Sequence, residues 1–157
     1  ANNRNFNNFA VAYCLFNNKG LMNKEIVFQN NMEEVTNVAA FVEEIGEELD
    51  LSFALLSGLQ LAIEEAVVNV IQYAYPVGET GAASLGVKHD GNSLTFILTD
   101  SGVAFDPTAK TDPDITLSAE LRPVGGLGIM LTKKIMSEVT YERKEGQNIL
   151  TMVKQLI

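Results

Sequence analysis

Between Ser52 and Tyr75 the chain is apolar at almost every position, and this run constrains the fold more than any other feature. Ser52 is a natural N-cap, and Tyr75-Pro76 ends the pattern, so the spacing predicts a helix to about Ala74. A helix this apolar calls for deep burial, and the rest of the chain has to supply the walls. Among the polar residues it carries, Glu64, Glu65 and Asn69 are informative, because a carboxylate beside a carboxamide is costly to bury without partners. The walls are affordable: 157 residues with 46% hydrophobic content are enough for one domain with a real core. Twenty acids against eleven bases give a formal charge of −9, which repels a phosphate backbone and argues against nucleic-acid binding. The imbalance is local. From Glu25 to Val87 there are eleven carboxylates and no Lys or Arg, so an anion held there needs a metal ion or backbone N–H groups. Failing those, it needs later basic residues such as Lys88, Lys110, Arg122, Lys133 and Lys134.

Cys14 is the only cysteine and closes no internal disulfide, in keeping with a reducing cytoplasm. The longest uninterrupted apolar run, Phe9 to Phe16, has eight residues, too few to cross a bilayer, and no membrane attachment is expected. Arg4 precedes it as in a signal peptide, but Asn17-Asn18-Lys19-Gly20 stands where a small-residue cleavage site belongs. Residues 1–21 read as an extension outside the domain, an added strand or a disordered arm, with Met22 as a native start. The domain itself is expected over 22–157.

Glu25–Gln29 reads as a strand. Asn31 with Glu34 spells a capping box, and Val35, Val38, Ala39, Val42, Ile45 and Leu49 continue as one face of an amphipathic helix. After the apolar helix come strands near 83–89 and 93–99, joined at Asp90-Gly91-Asn92. Residues 106–124 hold three of the four prolines without periodicity and read as a lid or binding loop. Gly125-Gly126-Leu127-Gly128 opens a third helix, and a hairpin with a turn at 145–148 ends the chain. The order strand, two helices, hairpin, lid, helix, hairpin predicts an α+β, two-layer sandwich. Its sheet is mixed and mostly antiparallel, with the helices on one face.

Three short motifs bear chemistry. Glu65 and Asn69, four apart, share one helical face. By themselves they are equally a half-exposed polar stripe or an internal Glu–Asn hydrogen bond. Asp100-Ser101-Gly102 ends a strand; the carboxylate can accept a hydrogen bond from an amino group such as that of adenine, and guanine presents a carbonyl there. By itself it is also a simple strand-ending turn. Gly125-Gly126-Leu127-Gly128 before a helix can offer N–H groups and the positive dipole end to phosphates, but no Lys-Ser/Thr follows as in a Walker loop. His89 is the only histidine, which leaves a histidine-based zinc site or triad nothing to build on. Lys133 and Lys134 read as a solvated helix face.

In combination and in this order, E-x-x-x-N, D-x-G-x-x-F-D and G-G-L-G resemble the GHKL (Bergerat) ATPases, which include histidine kinases, DNA gyrase B and MutL. The wording of "LAIEEAVVNVIQYAYP", "LTDSGVAFDP" and "RPVGGLGIMLTKKIMSEVTYER" is similar to the anti-sigma factor serine-protein kinases, over about Lys24 to Ile157. The resemblance implies a cytoplasmic, homodimeric kinase that binds a sigma factor and uses Mg²⁺ and ATP to phosphorylate an anti-sigma factor antagonist of the STAS type. It makes Asn69 the Mg²⁺ ligand, Glu65 the general base and Asp100 the adenine reader. It also makes Gly102 the residue that leaves room for the base. Gly125, Gly126, Leu127 and Gly128, with Arg122, become the nucleotide-binding lid. Two departures stand out: Val68 where many relatives carry Thr or Ser, and Arg122 three residues before the glycines rather than beside them. The alternative function is a nucleotide-dependent binding module without kinase activity.

Overall fold

The computed structural model describes residues 12–13, 21–109 and 126–156. In chain order these form β1 (Ala12–Tyr13), β2 (Met22–Gln29), α1 (Glu34–Glu48), α2 (Phe53–Tyr73), β3 (Ala82–His89) and β4 (Ser93–Asp100). A short 3-10 turn (Pro107–Ala109), α3 (Gly126–Ile135), β5 (Glu138–Lys144) and β6 (Gln147–Gln155) complete the order. The sheet runs β1-β2-β3-β4-β6-β5, and every described pairing is antiparallel rather than mixed. The reason lies in the connections: β3–β4 and β5–β6 are hairpins, and β6 inserts beside β4, leaving β5 on the edge.

Period-two alternation decides which side of the sheet is covered. Ile26 and Phe28 of β2, Leu85 and Val87 of β3, Leu94, Phe96 and Leu98 of β4, and Leu150 and Met152 of β6 all point into one core. Register aligns them in rows: Ile26 faces Leu85, Leu85 faces Leu98, and Leu98 faces Leu150. On this face α1 contributes Val38, Phe41, Val42 and Ile45, and α2 contributes Leu59, Ile63, Val67 and Ile71. Each such aliphatic side chain, once buried, contributes about 1.5–3 kcal/mol. α3 docks on α2 through Thr132, whose buried hydroxyl donates to the Ala62 carbonyl at 3.0 Å.

By length and composition α2 is apolar enough to span a bilayer. Here it is the central helix of the core, although its burial is one-sided. Phe53 is 87% exposed, and Leu61 and Tyr73 are also exposed, because the sheet, α1 and α3 cover only part of its circumference. The Ser52 cap forms, with Oγ accepting from the Leu55 N–H. The capping box on α1 does not. Asn31 Oδ1 accepts from Glu33 N at 3.0 Å, and Glu34 accepts from Asn37 rather than reaching back. The first turn is instead wound by bonds from Glu34 N to Asn31 O and from Val35 N to Met32 O, so the helix starts later than a box would require.

Two shifted ionisable groups belong to this scaffold. Burial lowers the Lys24 pKa, but its hydrogen bonds and attraction to Glu48 and Glu44 outweigh that effect and hold the ammonium above its ordinary value. The pair of glutamates thereby ties α1 to β2. Asp90 lies below its ordinary value because its carboxylate accepts from the backbone N–H groups of Asn92 and Ser93 and from the Ser93 hydroxyl. In the last hairpin the turn is two residues, Glu145-Gly146, both with positive φ, rather than four. β6 consequently begins at Gln147, and that shift matters for the site.

Candidate functional site

The C-terminal half of α2 and the adjoining ends of β4 and β6 flank an open cleft. Ala66, Asn69, Val70 and Tyr73 form the helix wall, while Leu98, Leu150 and Tyr141 come from the sheet. Val103, Phe105 and Pro107 close it from the segment after β4, and Ile129 from α3. The lining is apolar and aromatic with a few polar groups, the composition that accepts a flat heterocycle.

Asp100 is the polar group at its base. The alternation that buries Leu94, Phe96 and Leu98 carries the last residue of β4 onto the same inner face, where Asp100 is 6% exposed. Its Oδ1 accepts from Gly102 N and from Asn148 Nδ2, both at 2.9 Å. Oδ2 takes no bond from the described residues. Among them no buried side-chain oxygen or nitrogen lacks a partner, so Oδ2 is open to the cleft.

The turn after Asp100 is clamped from both sides. A Cβ on Gly102 would overlap the carbonyl of Ala74 at the end of α2, and Val103 N donates to that same oxygen at 2.8 Å. The glycine is what allows strand end and helix end to touch. Gly102 itself does not line the cleft. Tyr75 OH donates to Ala82 O at 2.5 Å and accepts from Ser101 N at 3.0 Å.

Asn69 lines the cleft, one turn beyond Ala66 and Glu65. Glu65 is half-exposed and is not among the lining residues. Among the described residues no hydrogen bond joins Glu65 and Asn69, so the internal pair is not formed. Gly126, Leu127 and Gly128 are the first three residues of α3, where a helix leaves N–H groups without intrahelical acceptors. Ile129 follows directly and lines the cleft, which brings that turn to its side. Gly125, Arg122 and most of the anticipated lid lie outside the described residues.

A sequence profile of the histidine kinase-like ATPase domain matches residues 28–154. The chain belongs to this family. Membership implies ATP binding. Among curated relatives, the serine/threonine-protein kinase BtrW of Bordetella bronchiseptica is 28% identical over 117 residues, covering 74% of this chain and 82% of that protein. The serine-protein kinase RsbW of Bacillus cereus is 30% identical over 112 residues, 68% of each chain. The crystal structure of the RsbU and RsbW domains of Rv1364c from Mycobacterium tuberculosis superposes with a TM-score of 0.57 at 15% identity. It covers 84% of this chain, but this chain spans only 32% of that one. A histidine kinase domain from Erythrobacter litoralis EL346 gives a TM-score of 0.50 at 15% identity, covering 79% of this chain and 60% of that one. At these identities the two structures establish a common fold.

One polar residue of the cleft, Asn148, carries no motif in the sequence. It falls within the expected turn at 145–148, but in the structure it is buried on the inner face of β6, opposite Asp100 in the β4–β6 register. The signal was its phase with Leu150 and Met152, which a four-residue turn disguised.

Proposed function

We propose that this domain is an ATP-dependent serine-protein kinase of the anti-sigma factor type. In this reading it acts in the cytoplasm as a homodimer, binds a sigma factor, and phosphorylates a STAS-type anti-sigma factor antagonist. The carrying observation is Asp100: a buried carboxylate with one oxygen held by the protein and the other open to an apolar cleft. That oxygen accepts from the adenine amine and repels the guanine carbonyl. The apolar walls take the ring, and the first turn of α3 takes the phosphates through backbone N–H groups and the helix dipole.

Among the described residues no cluster of three or more His, Cys, Asp or Glu gathers to hold a metal. The carboxamide of Asn69 nevertheless fits Mg²⁺, which accepts oxygen ligands and keeps waters and substrate phosphates as the remainder. Held by Asn69, such an ion would neutralise charge on the triphosphate, an acidic region's answer to its lack of Lys and Arg. In the transfer, the antagonist serine oxygen bonds to the γ-phosphorus and its proton passes to Glu65. The bond from the γ-phosphorus to the β–γ bridging oxygen breaks, and ADP leaves.

One observation favours the second reading, a binding module without catalysis: Glu65 stands outside the residues that line the cleft. Transfer of labelled γ-phosphate to a cognate antagonist serine separates the two. The kinase reading expects phosphoserine in the presence of Mg-ATP. Nucleotide binding without any transfer to the cognate antagonist selects the module. Nucleotide at one hundred times Kd should also stabilise the fold by about 2.7 kcal/mol, and an unchanged Tm would sink both readings.

A further inference from the structure

Asn148 makes more directional contacts around the cleft than any residue assigned a role above. Nδ2 donates to Asp100 Oδ1 at 2.9 Å and to Val103 O at 2.8 Å. Oδ1 accepts from Phe105 N at 3.3 Å, Tyr141 OH at 2.6 Å and Arg143 NH1 at 3.1 Å. Arg143 NH1 also donates to Gly102 O at 2.9 Å. Two of these partners are backbone groups with fixed polarity: a carbonyl needs the amide nitrogen, and an N–H needs the amide oxygen. The orientation of the carboxamide is therefore determined, and with it the donor that faces Asp100.

We propose that Asn148 is the positioning residue for base recognition: it occupies Oδ1 of Asp100 and thereby presents Oδ2 to the cleft in one geometry. Resting on the adenine-nucleotide reading above, this inference adds a second cleft-lining residue, one that acts on the base through Asp100 and decides how selectively it is read. Aspartate has two equivalent oxygens and a rotatable carboxylate. Two donors on one oxygen, Gly102 N and Asn148 Nδ2, remove that freedom before the nucleotide arrives. The same carboxamide holds the Val103–Phe105 segment, which forms one wall of the cleft. Sheet, strand end and wall are thus set by a single side chain.

A merely structural role predicts equal losses for every nucleotide; a positioning role acts only on ligands that carry the 6-amino group. The test is calorimetric binding of Mg-ATP and of purine riboside triphosphate, which lacks that group, to the full chain. Wild type should prefer ATP by about ten-fold or more, the range of a hydrogen bond to a charged acceptor. Asn148→Ala should bring the ratio close to one, since any loss from the loosened 103–105 wall falls on both nucleotides alike and cancels in the ratio. Adding Asp100→Asn to Asn148→Ala should then cost ATP little more. Tyr141→Phe, which removes one donor to Asn148 Oδ1 and keeps the ring, should lower the ratio in the same direction by a few-fold. It carries the test if Asn148→Ala fails to fold by circular dichroism. A wild-type ratio preserved in these variants, with both nucleotides weakened equally, overturns the inference and leaves the adenine reading intact. Wild type that binds neither nucleotide overturns both.

Discussion

The two ends of the cleft are built differently. At the strand end, Asp100 is buried and its turn is held by Asn148, Tyr75, Arg143 and the Ala74 carbonyl. At the helix end, Asn69 lines the cleft half-exposed on α2, with Glu65 just outside it and no hydrogen bond between them. One end is organised by the protein's own hydrogen bonds; at the other no such bond joins the two polar side chains. Recognition of a rigid base benefits from the first kind of construction. Binding a hydrated metal–phosphate group and handing over a proton tolerate the second.

This contrast can be broken, and the largest effect is expected at the unorganised end. Glu65→Gln keeps size and shape but removes the proton acceptor. Under the proposed function it should cut phosphotransfer about 10²–10⁴-fold while Mg-ATP affinity stays within a few-fold. Full transfer by the variant, in a rapid-quench assay, would strip Glu65 of the role of base. Asn69→Ala should lower affinity and transfer together, since it removes the proposed metal ligand.

At the organised end the largest expected change is structural. Gly102→Ala forces a methyl group into the Ala74 carbonyl and should cost about 3 kcal/mol in denaturant unfolding. A variant as stable as wild type would show that the contact between strand end and helix end relaxes freely. Asp100→Asn should weaken ATP by about 1–3 kcal/mol in calorimetry, with a smaller change in folding. Equal affinity would remove Asp100 from base recognition.

The smallest effect lies far from the cleft and serves as a control. The Asp90 carboxyl is depressed by its hydrogen bonds in the fold, so its stabilisation is present above its ordinary pKa of 3.8 and is lost as pH falls through the depressed value. Asp90→Ala should therefore lower Tm slightly at pH 7, and the two proteins should converge under strong acid. A constant gap across pH would mean that the carboxylate charge is not what holds this turn.

Much of this molecule was legible in the chain. The Ser52 cap, the stop at Tyr75-Pro76, the β3–β4 hairpin and the helix after the glycines depend on neighbours in sequence, where local hydrogen bonding and periodicity decide the outcome. The capping box at Asn31 misled because the same residues also make an Asx turn, and the competing bonds differ little in energy. Glu65, Asn69 and Asp100 were recognisable as motifs, and their lone polar character in apolar surroundings drew attention to them.

What the sequence determined by itself was which stretches are helix or strand, and which polar residues interrupt apolar runs. Only the tertiary structure decided what those residues face. Asn148 meets Asp100 because β6 inserts beside β4 in a register that sets the two residues opposite each other. The same assembly left Asn69 in the cleft lining and Glu65 outside it. Pairing across 48 positions in sequence leaves no local trace, since each strand satisfies its own alternation whichever partner lies alongside.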